Sequence, residues 1–294
     1  MIPVTRTSTP DILKKNADKW LKKLQEAIKE RQEAIKERQE AIIALEKIEE
    51  SPKPTKKQIE EAKKKIEAAK KKVDNAQNKY NPSIRNGENP VKQPLYDMFC
   101  GKCAFCERKV ELSAGRIEHF RPKSQYVNLT FDWNNFLYSC EVCNNRQNKG
   151  SKFPLDCDGT QLLIDPTDED CDIYEYLEFY WDKETQLASV VGKDGRGKVV
   201  TEILDLNRKD LRKHRDKQLT ILSNFLKFAK DGNQKAIEYL RQCCKFDEEY
   251  TAFALFYILP YLAHELHISE AIEMIREVGK RSPSYAKFAR IDDL

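Results

Sequence analysis

CAFC, Cys103 to Cys106, is answered across residues 107–139 by CEVC, Cys140 to Cys143. Two C-x2-C knuckles at this separation supply four soft thiolates, the donor set that tetrahedral zinc takes in structural sites. The chain has nine cysteines and shows no secretory leader or long apolar run. The reading is therefore a soluble, cytoplasmic protein whose clustered thiols bind metal rather than form disulfides. Cys100 makes a competing knuckle with Cys103; the pair Cys103 and Cys106 is preferred, with Cys100 spare. Cys157, Cys171, Cys243 and Cys244 lack ligand spacing and read as ordinary thiols.

Between the knuckles lies RIEHFRPKS, Arg116 to Ser124, holding one of only four histidines. VEL at 110–112, a turn at 113–115 and RIEH at 116–119 read as a short hairpin, with His119 emerging at its end. Downstream, DWNNFLYSC runs into the second knuckle, and CNNRQNKG follows it. Asn144 and Asn148 are four apart, on one face if a helix begins there. A neutral imidazole near pH 7 can take a proton from water, which makes His119 the candidate general base.

The flanks read differently. QEAIKER at 25–31 recurs at 32–38, and QEAI begins again at 39, spacing Ile28, Ile35 and Ile42 by seven. SPKP at 51–54 stops that helix. A second heptad row, Ile59, Ile66, Val73 and Tyr80, runs beside Ala62, Ala69 and Ala76. Two such helices joined by a short turn predict an antiparallel coiled-coil hairpin over about 18–80, able to self-associate through its seam. Its lysines and glutamates read as a solvated face, which fits a chain that is 34% charged with a net charge of only +4. Turn-rich NPSIRNGENP at 81–90 marks a boundary. Beyond the centre, YLEFYW within 174–191 alternates as strands do, and helical periodicity returns from Lys198. The expected architecture is α+β and mostly helical. Its parts are a helical region over 1–90, a small zinc-stapled core over 91–170, and short strands followed by helices over 171–294.

The central elements, in this order, resemble the HNH nuclease family with its ββα-metal core. Glu118-His119 stands where the family has an acid–histidine pair, Asn135-Phe136 where it has Asn and a hydrophobic residue, and Asn144 where it has a ligand after the second knuckle. The longer string, KCAFCE through LIDP ending at Pro166, resembles the PtuB-like nuclease subunits of Septu-type and retron-linked anti-phage systems. That resemblance implies Mg2+ or Mn2+ held by Glu118 with Asn144 or Asn148, Asn145 being a further rival. It implies an orienting role for Asn135 toward His119, with Arg121, Lys123 and Lys149 near the phosphates of a nucleic acid, DNA favoured over RNA. It further implies an ABC/AAA-type ATPase partner in a defence complex. Two alternatives carry weight: a zinc-scaffolded nucleic-acid-binding module that does not cut, and an interaction subunit whose hairpin is the working part. A membrane role is excluded by the lack of an apolar span.

Overall fold

The computed structural model describes residues 1–78, 90–182, 184–185 and 187–291. Among the described residues the fold is mostly helical with two small antiparallel sheets. It divides into two compact units: residues 10–89 with 127–132, and residues 1–9, 90–126 and 133–294.

The first unit is a helical hairpin. Helix α1 (Asp11–Glu49) ends where Ser51 donates its hydroxyl to the Ile48 carbonyl at 2.7 Å. Helix α2 (Lys56–Asn78) starts with a capping box: the Gln58 amide N–H donates to Thr55 Oγ1, and the Gln58 side chain accepts from the Thr55 N–H. The two helices fold back on each other, with Lys72 Nζ 2.7 Å from Glu37. The centre of the seam is Ala27, Ala34, Ala62 and Ala69, all buried. Ile28, Ile42, Ile59 and Ile66 are half-buried beside it, and Ile35 is exposed. Small residues at the contact let the backbones approach closely, so the alanines rather than the isoleucines set the packing. Tyr80, the end of the second row, and residues 81–89 of the boundary segment lie outside the described residues. Residues 127–132 belong to the same unit, where Phe131 meets the Trp20 ring edge-on with centroids 5.7 Å apart.

In the second unit, α3 (Lys92–Met98) leads into the first knuckle. Strand β1 (Arg116–His119) pairs antiparallel with β2 (Phe136–Ser139), His119 opposite Phe136 and Arg116 opposite Ser139. The expected hairpin partner of β1, residues 110–112, is not a strand. That segment bends into a turn, with Tyr138 Oη within hydrogen-bonding reach of the Val110 and Glu111 carbonyls at 3.0 and 2.9 Å. Gly115 closes it, because a Cβ there would sit 2.0 Å from the same hydroxyl. A single turn, α4 (Glu141–Asn144), follows β2.

The remainder supports this core. After the one-turn α5 (Ile173–Tyr176), β3 (Leu177–Asp182) pairs with β4 (Leu187–Gly192). Leu177, Phe179 and Trp181 are buried and Glu178 and Tyr180 exposed, the alternation expected of one buried face. Helices α6 (Gly195–Ile203), α7 (Lys209–Lys230), α8 (Gln234–Cys243), α9 (Thr251–Tyr257), α10 (Leu259–His264), α11 (Ser269–Arg281) and α12 (Pro283–Phe288) complete the unit. Tyr174, Phe179, Phe253, Phe256 and Tyr285 form a chain of edge-on and tilted ring contacts in its core. Among the described residues no helix is long and apolar enough to cross a membrane.

Candidate nuclease and metal centre

Cys103, Cys106, Cys140 and Cys143 are all buried, with their sulfurs within 4.8 Å of one another. The Sγ atoms of Cys106 and Cys140 are 3.9 Å apart, too far for a disulfide and close to the edge of a tetrahedron built on Zn–S bonds of about 2.3 Å. Cys100 stands outside the group. The donors fit a closed structural zinc site. Four buried thiols cannot all ionise side by side without a cation: burial drives the Cys103 thiol up, while hydrogen bonds from Cys103, Cys140 and Cys143 pull Cys106 down. The second knuckle also starts α4, since Cys140 Sγ accepts the Cys143 N–H at 3.4 Å.

Both knuckles border β2: the Ala104 N–H of the first donates to the Tyr138 carbonyl at 2.8 Å, and the second follows Ser139 directly; the acid–histidine pair sits at the end of the paired strand β1. Glu118 is buried, and Asn144 Nδ2 donates to its Oε2 at 2.5 Å. Lys149 Nζ lies 2.9 Å from Glu118 Oε1 and also donates to the His119 carbonyl at 3.0 Å. Burial raises the Glu118 carboxyl to about 7 even though Lys149 and Asn144 both act to lower it. His119 is half-buried, its ring edge-on to Phe136 with centroids 5.1 Å apart.

Asn135 is buried at the end of a short turn before β2. Its Oδ1 accepts the Arg121 N–H at 2.7 Å, and its Nδ2 donates to the Arg121 carbonyl at 3.0 Å. The Phe120 N–H donates to the Asn135 carbonyl at 2.9 Å. The backbone leaving His119 is thus clamped by one side chain.

Asn148 stands apart from Glu118. The helix ends at Asn144, and the Asn145 side chain accepts the Asn148 N–H at 2.9 Å, a local turn that replaces a second helical turn. Asn148 Nδ2 then donates to the Val142 carbonyl at 2.7 Å. The one-face relation expected of Asn144 and Asn148 therefore does not form, and only Asn144 reaches Glu118. Lys149, expected on a flanking phosphate, is fully buried, because its charge is used inside on Glu118. Arg121 and Lys123 are exposed. The Arg121 guanidinium bonds Gln161 at 3.1 Å and lies over the Tyr126 and Phe153 rings.

Residues 103–150 match the family described as HNH endonuclease. This HNH segment contains both knuckles, Glu118, His119, Asn135, Asn144 and Lys149. The chain is also 30% identical over 156 residues to the Septu protein PtuB of Bacillus mycoides strain KBAB4, covering 44% of this chain and 51% of that protein. It is 30% identical over 128 residues to the Septu protein PtuB of Bacillus thuringiensis, covering 42% and 44%. The chain spans about half the length of the curated relatives it matches.

Two arginines outside the HNH segment also reach this region. Arg6 Nη1 donates to the carbonyls of Trp133 and Phe136 at 2.7 and 2.9 Å, fixing the entry to β2. Arg208 reaches the thiols themselves, with Nη1 3.7 Å from Cys143 Sγ and Nη2 3.7 Å from Cys106 Sγ. Neither belongs to a motif, and only the fold brings them near.

Proposed function

We propose that the chain is a metal-dependent endonuclease that hydrolyses phosphodiester bonds of nucleic acid, DNA foremost. The observation that carries this reading is the Glu118–His119 pair beside Asn144, inside a segment that matches the HNH family. His119 acts as general base toward water. Glu118 and Asn144 are the residues that would hold Mg2+ or Mn2+; one carboxylate and one amide suit a hard cation that keeps most of its waters. When bound, such an ion polarises the phosphate and stabilises the departing oxygen. Asn135 positions His119 through the Arg121 backbone, and Lys149 holds Glu118 and the His119 carbonyl in register. Arg121 and Lys123 contact flanking phosphates, which positions substrate without reading sequence. The zinc site holds the loop that carries these groups.

The similarity to Septu PtuB proteins supports a place in an anti-phage defence complex with an ATPase partner, in the cytoplasm. A coiled-coil role for the hairpin in self-association belongs to the same proposal. One observation favours a second reading: the Lys149 ammonium already neutralises Glu118, as it would in a silent, nucleic-acid-binding scaffold. Cleavage of labelled plasmid DNA and total RNA in Mg2+, Mn2+ or EDTA separates the two. Cutting in Mg2+ or Mn2+ that is lost in His119→Ala supports the nuclease. Nucleic-acid binding without cutting, by the chain alone and by its purified complex, overturns it.

A further inference from the structure

Four thiolates around one Zn2+ carry a net charge of −2, and here they are buried. A buried charge of that size needs an opposing charge or donors close by. The knuckles bring one donor of their own, the Cys143 N–H on Cys140 Sγ, but no free charge: Lys102 and Glu107 are engaged elsewhere, with Phe246 and Thr251 and with Ala252 and the chain's first amine. Arg108 and Arg215 also act electrostatically on Cys106, and Arg208 brings its guanidinium onto the sulfurs themselves. Its planar fork spans two of the four sulfurs, one from each knuckle, with Nη1 on Cys143 and Nη2 on Cys106. A guanidinium stays protonated under all ordinary conditions, so this contact does not switch off.

The arginine is delivered from a fixed joint between α6 and α7. Asn207 pairs twice with the Val190 backbone of β4, donating to its carbonyl and accepting its N–H, both at 2.8 Å. Arg215 Nη1 bonds the Leu206 carbonyl at 2.6 Å. Asp205 adopts φ 44°, a left-handed conformation uncommon outside glycine, and its carbonyl accepts from Arg208 Nη1 at 3.2 Å. A second strap runs alongside. Asp210 in the first turn of α7 lies 3.2 Å from Arg208 Nε and 3.1 Å from Nη2 of Arg108, two residues past Cys106.

We infer that Arg208 is a positioning residue of the metal centre and latches the α6–α7 joint onto it, so that metal loading and docking of the C-terminal helices are one cooperative event. This rests on the reading of the four cysteines as a zinc site. Outer contacts of this kind commonly change metal affinity by about 10–100-fold. The test uses the full chain, wild type and Arg208→Gln, with Zn2+ affinity measured by competition against a chromophoric chelator. Hydrogen exchange of residues 204–213 is followed with and without Zn2+. Arg208→Gln weakens Zn2+ by about 10–100-fold, Arg208→Lys by less, and Zn2+ removal from wild type accelerates exchange across the joint. Equal Zn2+ affinity in wild type and Arg208→Gln overturns the latch, as does a joint whose exchange ignores Zn2+. If Arg208→Gln fails to fold, Arg208→Lys and the wild-type exchange decide the matter. A wild type that binds no Zn2+ removes the metal-centre reading itself, an outcome distinct from failure of the latch.

Discussion

The helical hairpin and the HNH segment achieve order by opposite means. In α1 and α2 the information is periodic and local: alanines every seven residues, charged faces, a serine stop and a Thr55–Gln58 start. In the HNH segment regular structure is minimal, two four-residue strands, two short 3-10 turns and one α-helical turn. What replaces it is a small set of specific, mostly non-local bonds: four sulfurs, a Glu118–Lys149 pair, and the Asn135 clamp. The lesson is that robustness and chemistry are separated along the chain, so perturbations should fall very unequally on the two regions.

Removing metal should give the largest difference. Structural zinc sites in small modules contribute on the order of 10 kcal/mol or more to folding. Chelation should therefore accelerate hydrogen exchange throughout residues 100–153 while residues 11–72 keep their protection. Parallel loss in both regions would break the comparison.

Lys149→Met comes next. It leaves Glu118 buried without its cation, so its carboxyl, already raised to about 7, should rise further; the cost grows with pH toward the roughly 3–5 kcal/mol of an uncompensated buried charge. The melting temperature of the HNH region should drop and cleavage should fall with it. A variant as stable as wild type would show that Lys149 is not the partner that holds Glu118.

The smallest effect belongs to the hairpin. Lys72→Gln removes an exposed ion pair with Glu37, worth under about 1 kcal/mol. Thermal unfolding should barely move. Ala69→Leu at the seam should cost more than Lys72→Gln, about 1–3 kcal/mol, because overpacking forces the helices apart. The reverse order would mean that charge rather than close approach holds the hairpin.

The same contrast explains what could be read in advance. The hairpin, the metal knuckles and the β3–β4 pair announce themselves through period seven, ligand spacing and alternation, all short-range signals. Local sequence pairs β1 with residues 110–112, yet its partner β2 lies beyond residues 120–135, and no local pattern marks that pairing. The conditional one-face relation of Asn144 and Asn148 fails because Asn145, an efficient turn former, ends the helix after one turn. Local sequence assigns Lys149 to a flanking phosphate, whereas its ammonium lies on buried Glu118. Only the position of Glu118 shows why it goes inside. Arg6 and Arg208 reach the site from distant segments, and nothing around them in the chain signals it.

The central claim is that the chemistry resides in the HNH segment and not in the hairpin. Its most direct test is plasmid nicking in Mg2+ or Mn2+ by three proteins: wild type, His119→Ala, and a chain in which residues 38–71 are replaced by a short glycine turn joining Glu37 to Lys72. These two residues already form an ion pair at 2.7 Å, so the shortened hairpin can close. The account predicts nicking by wild type and by the shortened chain at similar rates, and at least a hundredfold loss in His119→Ala, the scale of a removed general base (about 10²–10⁴). Undiminished nicking by His119→Ala, or its disappearance when only the hairpin is shortened, would contradict it.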